Sequence, residues 1–369
     1  MSQSGEETSR TSEMRHDPDE MPDNLDVVAV RLSGFGGLDK VKIEKVSMPL
    51  IIPDGHAEVQ VKAFGVNFAD LYMRQGLMRN LRPPMTMGME CSGVVNNVGP
   101  GVTTLKAGDR VICYQVNGGL HQQVVFVPEE ACFLLPPEVS FDIGAAIFVN
   151  YLTAYFSVLN IGNLEAGQTV LIHSCAGGVG WAATQLARSV PNVKVYGTTS
   201  MEEKHAAVKA NGVSVVLDPK TYVETLKVLE PQGVHLVLDS IGGTSFLQSQ
   251  QLLRPLGRAV LIGASSMLNG DRKLGLWDML VTWWRTRCVS PTDLLNESKV
   301  VAGLHLANLL KDDPQRVREA LQTLFSMLEQ KQIEPKIYMK FPLELAVDAY
   351  KELHQRKNIG KILLHNLVK

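Results

Sequence analysis

Between Val27 and Val139 the apolar positions fall in short runs separated by Gly and Pro. Val59–Val66 alternates and is rich in β-branched residues, which sets every second side chain on one sheet face and predicts a strand. Gly93–Val98, closed by the turn Gly99-Pro100-Gly101, and then Arg110–Tyr114 and Gln123–Val127 repeat the pattern. Short strands with this punctuation predict a β-rich domain. After Gly144 the period changes. Apolar runs at Thr169–His173, Lys194–Thr198, Val213–Leu217, Val234–Asp239 and Arg258–Gly263 alternate with helical patterns at Val179–Val190, Glu202–Asn211, Tyr222–Leu229 and Thr244–Leu252. Such alternation means a parallel, doubly wound α/β sheet. Five strands read as its full set. Helices over Pro314–Gln330 and Leu343–Gln355 follow, and a strand over Lys361–Leu364 is expected to rejoin the β-rich domain. The expected organisation is a polar, acidic, disordered tail over 1–26, a β-rich domain over 27–150 plus 336–369, and the parallel-sheet domain over 151–335 with an insertion at 268–300.

Two stretches stand apart. Ile143–Asn163 carries no charge and is long enough for a bilayer, but Asn150, Tyr151, Thr153, Tyr155 and Asn160 favour a buried helix between domains. Arg272–Cys288 holds three of the four tryptophans, Trp277, Trp283 and Trp284. Trp277, Leu280, Val281, Trp284 and Cys288 share one helical face, flanked by Arg272, Lys273, Arg285 and Arg287. Two readings are open: a helix packed on its own protein or on a second subunit, or an interfacial helix resting on a membrane.

Composition narrows the classes. A net charge of −2 gives no ground for a nucleic-acid partner. The five cysteines show no C-x-x-C spacing, which argues against a disulfide framework or a Cys-rich zinc knot and for a reducing compartment. The N-terminus lacks an apolar run behind a basic start, so no secretory signal is expected there.

The strongest chemical signal is Val170-Leu-Ile-His-Ser-Cys-Ala-Gly-Gly-Val-Gly180. A β-branched strand enters a Gly-rich turn that opens a helix. In the expected cofactor turn Ala176–Gly180, which includes Val179, Gly177 and Gly178 let the backbone approach a pyrophosphate, Gly180 lets the helix pack on the strand, and the helix N-terminus offers free N–H groups. The next strand ends Gly197-Thr-Thr-Ser200, without the carboxylate that would hold a ribose 2′-hydroxyl. Thr199, Ser200 and Lys204 suit a 2′-phosphate, so NADPH is favoured; Lys204 also fits an ordinary solvated helix lysine.

Gly167-Gln168, Ala176-Gly-Gly-Val-Gly180, Gln185 and Arg188 resemble the signature of quinone oxidoreductases and ζ-crystallins, the zinc-independent branch of the medium-chain dehydrogenase/reductases. Gly65–Arg74 is similar to that family's first catalytic-domain motif, Gly88–Gly93, Val98–Val102 and Ala107–Val111 follow in its order, and Asp239–Gly243 and Gly360–Leu364 resemble its later landmarks. Within the branch, Thr282-Trp-Trp284 and Asn358-Ile-Gly-Lys361 look most like the vesicle amine transport protein 1 homologues. The resemblance implies a Rossmann-type sheet plus a GroES-like domain and an NADPH-dependent reductase of a small quinone or enone. It also implies a homodimer, in the cytoplasm or peripheral on vesicle or mitochondrial outer membranes. It places Asn67, Asn150, Thr153, Gly263 and Ala264 near the nicotinamide and adds Asn358 to the cofactor site. Cys175 stands where the family usually has Ala or Ser, which would set an oxidisable thiol beside the phosphate turn.

Zinc members put Cys near Asn67–Ala69 and His in a Gly-His-Glu motif, here Gly88-Met89-Glu90, so no metal is expected. Without zinc, the oxyanion formed by hydride delivery needs hydrogen-bond donors. Candidates are the Asn67 amide and the Tyr72 hydroxyl, with Asp70 orienting Tyr72 or Arg74; Asn67 and Asp70 also fit a helix cap. No general-base pair is evident, and solvent can supply the proton. A second function stays open: a membrane-associated adaptor or lipid-handling protein that binds NADPH with little turnover.

Overall fold

The computed structural model describes residues 24–268 and 289–366. The N-terminal residues before Asn24 and the tryptophan-rich run with Trp277, Trp283 and Trp284 lie outside the described residues.

Strands β1 (Asn24–Leu32) and β2 (Val41–Pro49) pair antiparallel, and β4 (Met85–Thr86) adds to β1. Asn24–Asp26, which polarity assigned to the tail, pair with Ser47–Pro49. A ladder is made by backbone groups, so polar side chains do not end it. Around β3 (His56–Val66) a seven-stranded sheet gathers β5 (Glu90–Val98), β6 (Arg110–Tyr114), β7 (Val124–Pro128) and β8 (Cys132–Leu134). Its far side is completed from the end of the chain: β16 (Lys361–His365) pairs antiparallel with β3, and β15 (Ile337–Pro342) pairs parallel with β16.

Six parallel strands form the other sheet, in the order β11 (Val215–Leu217), β10 (Lys194–Thr198), β9 (Thr169–Ile172), β12 (Val234–Asp239), β13 (Leu253–Leu261) and β14 (Val300–Gly303). The five-strand expectation is thus corrected. Val300–Gly303 is only four residues long and follows the tryptophan run, so neither length nor rhythm announces it. The strand order reverses at β9, between β10 and β12, and ligands of doubly wound sheets sit at that switch point.

Between the sheets runs α2 (Phe141–Tyr155), continued by a wider turn over Phe156–Ile161. Ser140 caps it, accepting from the Ile143 N–H. This is the one stretch of described helix apolar enough to cross a membrane, yet 72% of it is buried inside the protein. Phe148 explains why: its ring packs 4.6 Å from Phe133 and 5.3 Å from Tyr114, both on the β-rich side. The helix is therefore core, joining the two halves.

Candidate functional site

Helix α3 (Gly178–Arg188) starts where β9 ends. Its first intrahelical bond runs from Trp181 N–H to Gly177 O at 2.8 Å, so the N–H groups of Gly178, Val179 and Gly180 have no helical partner. The turn is tightly packed from behind. A Cβ at Gly180 would lie 2.3 Å from Ser174 O, and one at Gly178 would lie 2.2 Å from Asn150 Nδ2. Close backbone requires glycine at Gly180, whereas a side chain at Gly178 would have to displace the Asn150 amide. Ser174 N–H donates to Thr198 Oγ1 and Cys175 N–H to Thr198 O, which ties the turn to β10.

The turn opens on a cleft of about 250 Å³. Ala176, Gly177, Gly178, Val179 and Gly180 line it together with Thr199, Ser200, Lys204 and Asn358, so the structure brings these candidates together. Asn150 and Thr153 do not line it; both are buried in α2, where Asn150 backs onto Gly178. Gly263 and Ala264 sit between two lining residues, Ile262 and Ser265. Sequence reasoning missed Ser174, Thr198, Ser240 and Arg356. Arg356 lies two residues before Asn358, which the resemblance had flagged, so the signal was adjacent.

Lys204 is not a solvated helix lysine. It is 5% exposed, and its ammonium donates to the carbonyls of Arg356 and, at 2.9 Å, Asn358. Burial lowers its pKa, opposed by Glu203. Gly360 N–H donates to Ala176 O at 2.8 Å, so the segment before β16 is sewn to the phosphate turn. Cys175 corrects another expectation. Its side chain is fully buried behind Gly197, and burial pushes the thiol up to about 12, so it is held protonated and away from solvent.

Helix α1 (Phe68–Gln75) brings the candidate catalytic loop to the same cleft, which Phe68 lines. The Asn67 amide is fully engaged: Nδ2 donates to Glu90 Oε1 at 2.8 Å and to Gly65 O at 3.3 Å, and Oδ1 accepts from Lys361 Nζ at 2.7 Å. Lys361 also pairs with Glu90, whose other oxygen accepts from Val149 N–H at 3.0 Å. Asp70 holds neither Tyr72 nor Arg74. Its Oδ2 accepts from Asn67 N–H at 2.8 Å and its Oδ1 has no partner, so Asp70 caps the helix start. Burial raises its pKa to about 7, against the Asn67 hydrogen bond and Lys361.

Tyr72 is arranged differently. Its hydroxyl oxygen accepts from Ala264 N–H at 3.2 Å, which leaves its own proton free to donate. Burial raises its pKa to about 12, so the hydroxyl stays protonated through the neutral range.

A family model described as an alcohol dehydrogenase GroES-like domain matches residues 53–137, and one described as a zinc-binding dehydrogenase matches residues 178–326. The chain is 42% identical to the synaptic vesicle membrane protein VAT-1 homolog of Rattus norvegicus, over 90% of this chain and 82% of that protein. It is 29% identical to the quinone oxidoreductase of Sus scrofa, over 91% and 97%. The solved structure of Escherichia coli quinone oxidoreductase complexed with NADPH superposes with a TM-score of 0.80 at 28% identity, covering 92% of this chain and 99% of that one. The second model's name raises zinc, and the residues do not fit it. Among the described residues no three His, Cys, Asp or Glu side chains gather, and beside Glu90 stand Asn67, Met89 and the Lys361 ammonium.

Proposed function

From the premise that this chain belongs to the synaptic vesicle membrane protein VAT-1 homologue family, with a GroES-like and a Rossmann-type half, we propose that it is an NADPH-dependent, zinc-independent reductase of quinones or enones. The observation that carries the reading is the cleft: three unpartnered helix N–H groups at Gly178–Gly180, with Ser200, Lys204 and Arg356 lining the same space. The N–H groups bind the pyrophosphate. Ser200, Lys204 and the Arg356 guanidinium hold the 2′-phosphate, Arg being suited to bidentate phosphate contact. NADPH supplies the hydride when bound. Tyr72 Oη–H donates to the oxygen of the acceptor as charge develops there, held in place by Ala264 N–H. Asn67, Glu90 and Lys361 position the loop rather than meet the acceptor.

NADPH oxidation measured against a panel of quinones and enones tests the reading; turnover on at least one acceptor is expected. Tight NADPH binding with no turnover would favour the adaptor function, which the full engagement of Asn67 also supports. We assign the protein to the cytoplasm, with peripheral membrane contact through residues 272–288. The word "membrane" in the relatives' name and the Trp/Arg composition of that run support this. Flotation on liposomes, compared between the natural chain and a Trp283→Ser/Trp284→Ser variant, tests that contact. A homodimer is supported by the outer edge of β14, unpaired among the described residues, and the exposed Leu256 and Leu295 nearby in the chain's path.

A further inference from the structure

Gln185 and Arg188 belong to the signature run of α3, yet neither lines the cofactor cleft. With Trp181 they recur at helical spacing on another face of the helix, where they border a second cavity of about 660 Å³. Its other walls are the end of α4 (His205–Asn211) and the segment 331–336 that follows α9 (Pro314–Glu329). A volume of this size suits a small metabolite.

The cavity is built rather than left over. Gln185 Nε2 donates to Asn211 Oδ1 at 2.9 Å and to Glu334 O at 3.1 Å, while its Oε1 accepts from Tyr151 Oη–H at 2.8 Å and Glu334 N–H at 2.9 Å. Asn211 Nδ2 donates to Trp181 O at 3.0 Å. Three elements are thereby fixed around an open centre. Trp181 is nine-tenths buried, and its indole N–H has no acceptor. Burial without an acceptor is unfavourable for such a donor.

The charge is one-sided. Arg188, Lys331 and Lys336 contribute three cations, and Glu334 is the one carboxylate. Among the described residues none of the four takes part in an ion pair. Trp181 and Lys336 also border a closed seam that reaches Asn150, Gly178 and Lys361, the residues backing the phosphate turn and the Asn67 cluster.

We propose that this cavity is a second binding site, for a small polyanion of the phosphate or carboxylate type, separate from the cofactor cleft. Arg188, Lys331 and Lys336 supply the charge. The site does not depend on the proposed reductase activity.

Calorimetric titration of the full chain with pyrophosphate, and separately with citrate, tests it. One anion per chain is expected at this cavity, beyond any pyrophosphate held at the Gly178–Gly180 turn, which excess NADPH displaces. Lys331→Gln with Lys336→Gln should weaken binding by roughly tenfold or more, and Glu334→Gln should tighten it. These three side chains are exposed and bear no fold-holding bonds of their own, so the variants should fold; retained thermal unfolding checks this. Arg356→Gln, which alters only the cofactor cleft, should leave the affinity unchanged, whether or not NADPH binds. Binding lost in Arg356→Gln but kept in the lysine variant would put the anion in the cofactor cleft and overturn the proposal. So would the absence of any heat at millimolar anion. Preference for pyrophosphate or for citrate then identifies which oxyanion the site takes.

Discussion

The phosphate turn lines the cofactor cleft, whereas none of Asn67, Glu90 and Lys361 does, and the two are built in opposite ways. The turn is contiguous in sequence, made of backbone, and leaves the donors of Gly178–Gly180 open. The cluster joins Asn67, Glu90 and Lys361, the last two 271 residues apart, and satisfies its donors and acceptors internally. A backbone motif can stay open because neighbouring peptide bonds hold its shape. Buried charged side chains cannot, since an unpaired charge away from water is costly. So the turn is ready for a ligand, whereas the cluster is a fixed support. In the proposed reaction the donor is Tyr72, whose hydroxyl accepts from Ala264 N–H and keeps its own proton.

Removing the centre of the cluster should break this contrast most severely. Lys361→Met would leave the fully buried Glu90 carboxylate without its cation, at a cost of about 3–5 kcal/mol of stability. The midpoint of urea unfolding reads it, and adding Glu90→Gln should recover most of the loss. A loss that Glu90→Gln does not touch would mean that Lys361 acts through packing alone. Next in size is the reaction itself. Tyr72→Phe should lower kcat by about a hundredfold or more, with NADPH affinity unchanged, as expected for a lost oxyanion donor. An unchanged kcat would remove Tyr72 from the chemistry.

The same contrast decides what could be read from the chain. The Gly-rich turn, the helix after it and most of the alternating strands are local patterns, visible at the spacing of one or two turns. Thr199, Ser200 and Lys204 followed from their place at the end of β10, and all three line the cleft. The partners of Asn67 were not legible. Glu90 is read from the sequence against a zinc motif and within one family landmark, and Lys361 as a strand start within another, and nothing local says that they meet. Arg356 was missed for a similar reason, since its carbonyl and side chain reach the cleft from the segment ahead of β16. Asn67 and Asp70 carried both a catalytic and a capping reading. The hydrogen bond from Asn67 N–H to Asp70 favours capping, and only the folded chain could show it.

A smaller effect sharpens the cofactor side. Lys204 bonds the carbonyls of Arg356 and Asn358 and also lines the cleft, so it both latches that segment and carries charge. Arg356→Gln keeps the carbonyl and removes only the guanidinium. It should weaken NADPH by about ten- to a hundredfold, the range of a charge-assisted bond of about 1.5–3 kcal/mol, and leave NADH unchanged. Lys204→Met should weaken both cofactors, NADPH the more. Equal loss for the two cofactors in Lys204→Met would reduce that lysine to a latch.

The smallest expected effect concerns Asp70, which sits beneath the cluster with Glu90 and Lys361 acting on it. Its folded pKa is raised from 3.8 to about 7, chiefly by burial. A carboxyl with a raised folded pKa holds its proton longer when folded than when unfolded. Its contribution therefore favours folding at low pH and is lost as pH rises from about 4 to about 7, at up to about 1.4 kcal/mol per pH unit. Asp70→Asn keeps an oxygen acceptor for Asn67 N–H and cannot ionise. The variant should thus gain on the natural chain by about 1 kcal/mol per pH unit between pH 5 and pH 6. The gain should level off above the folded pKa. His121, buried nearby and held neutral with its pKa lowered to about 3, titrates in both proteins and cancels from the difference. Urea midpoints for both proteins across this range measure the gap. Parallel curves would show that Asp70 ionises as an ordinary surface acid, and the cluster would then not be the dry, closed support that the turn is contrasted with.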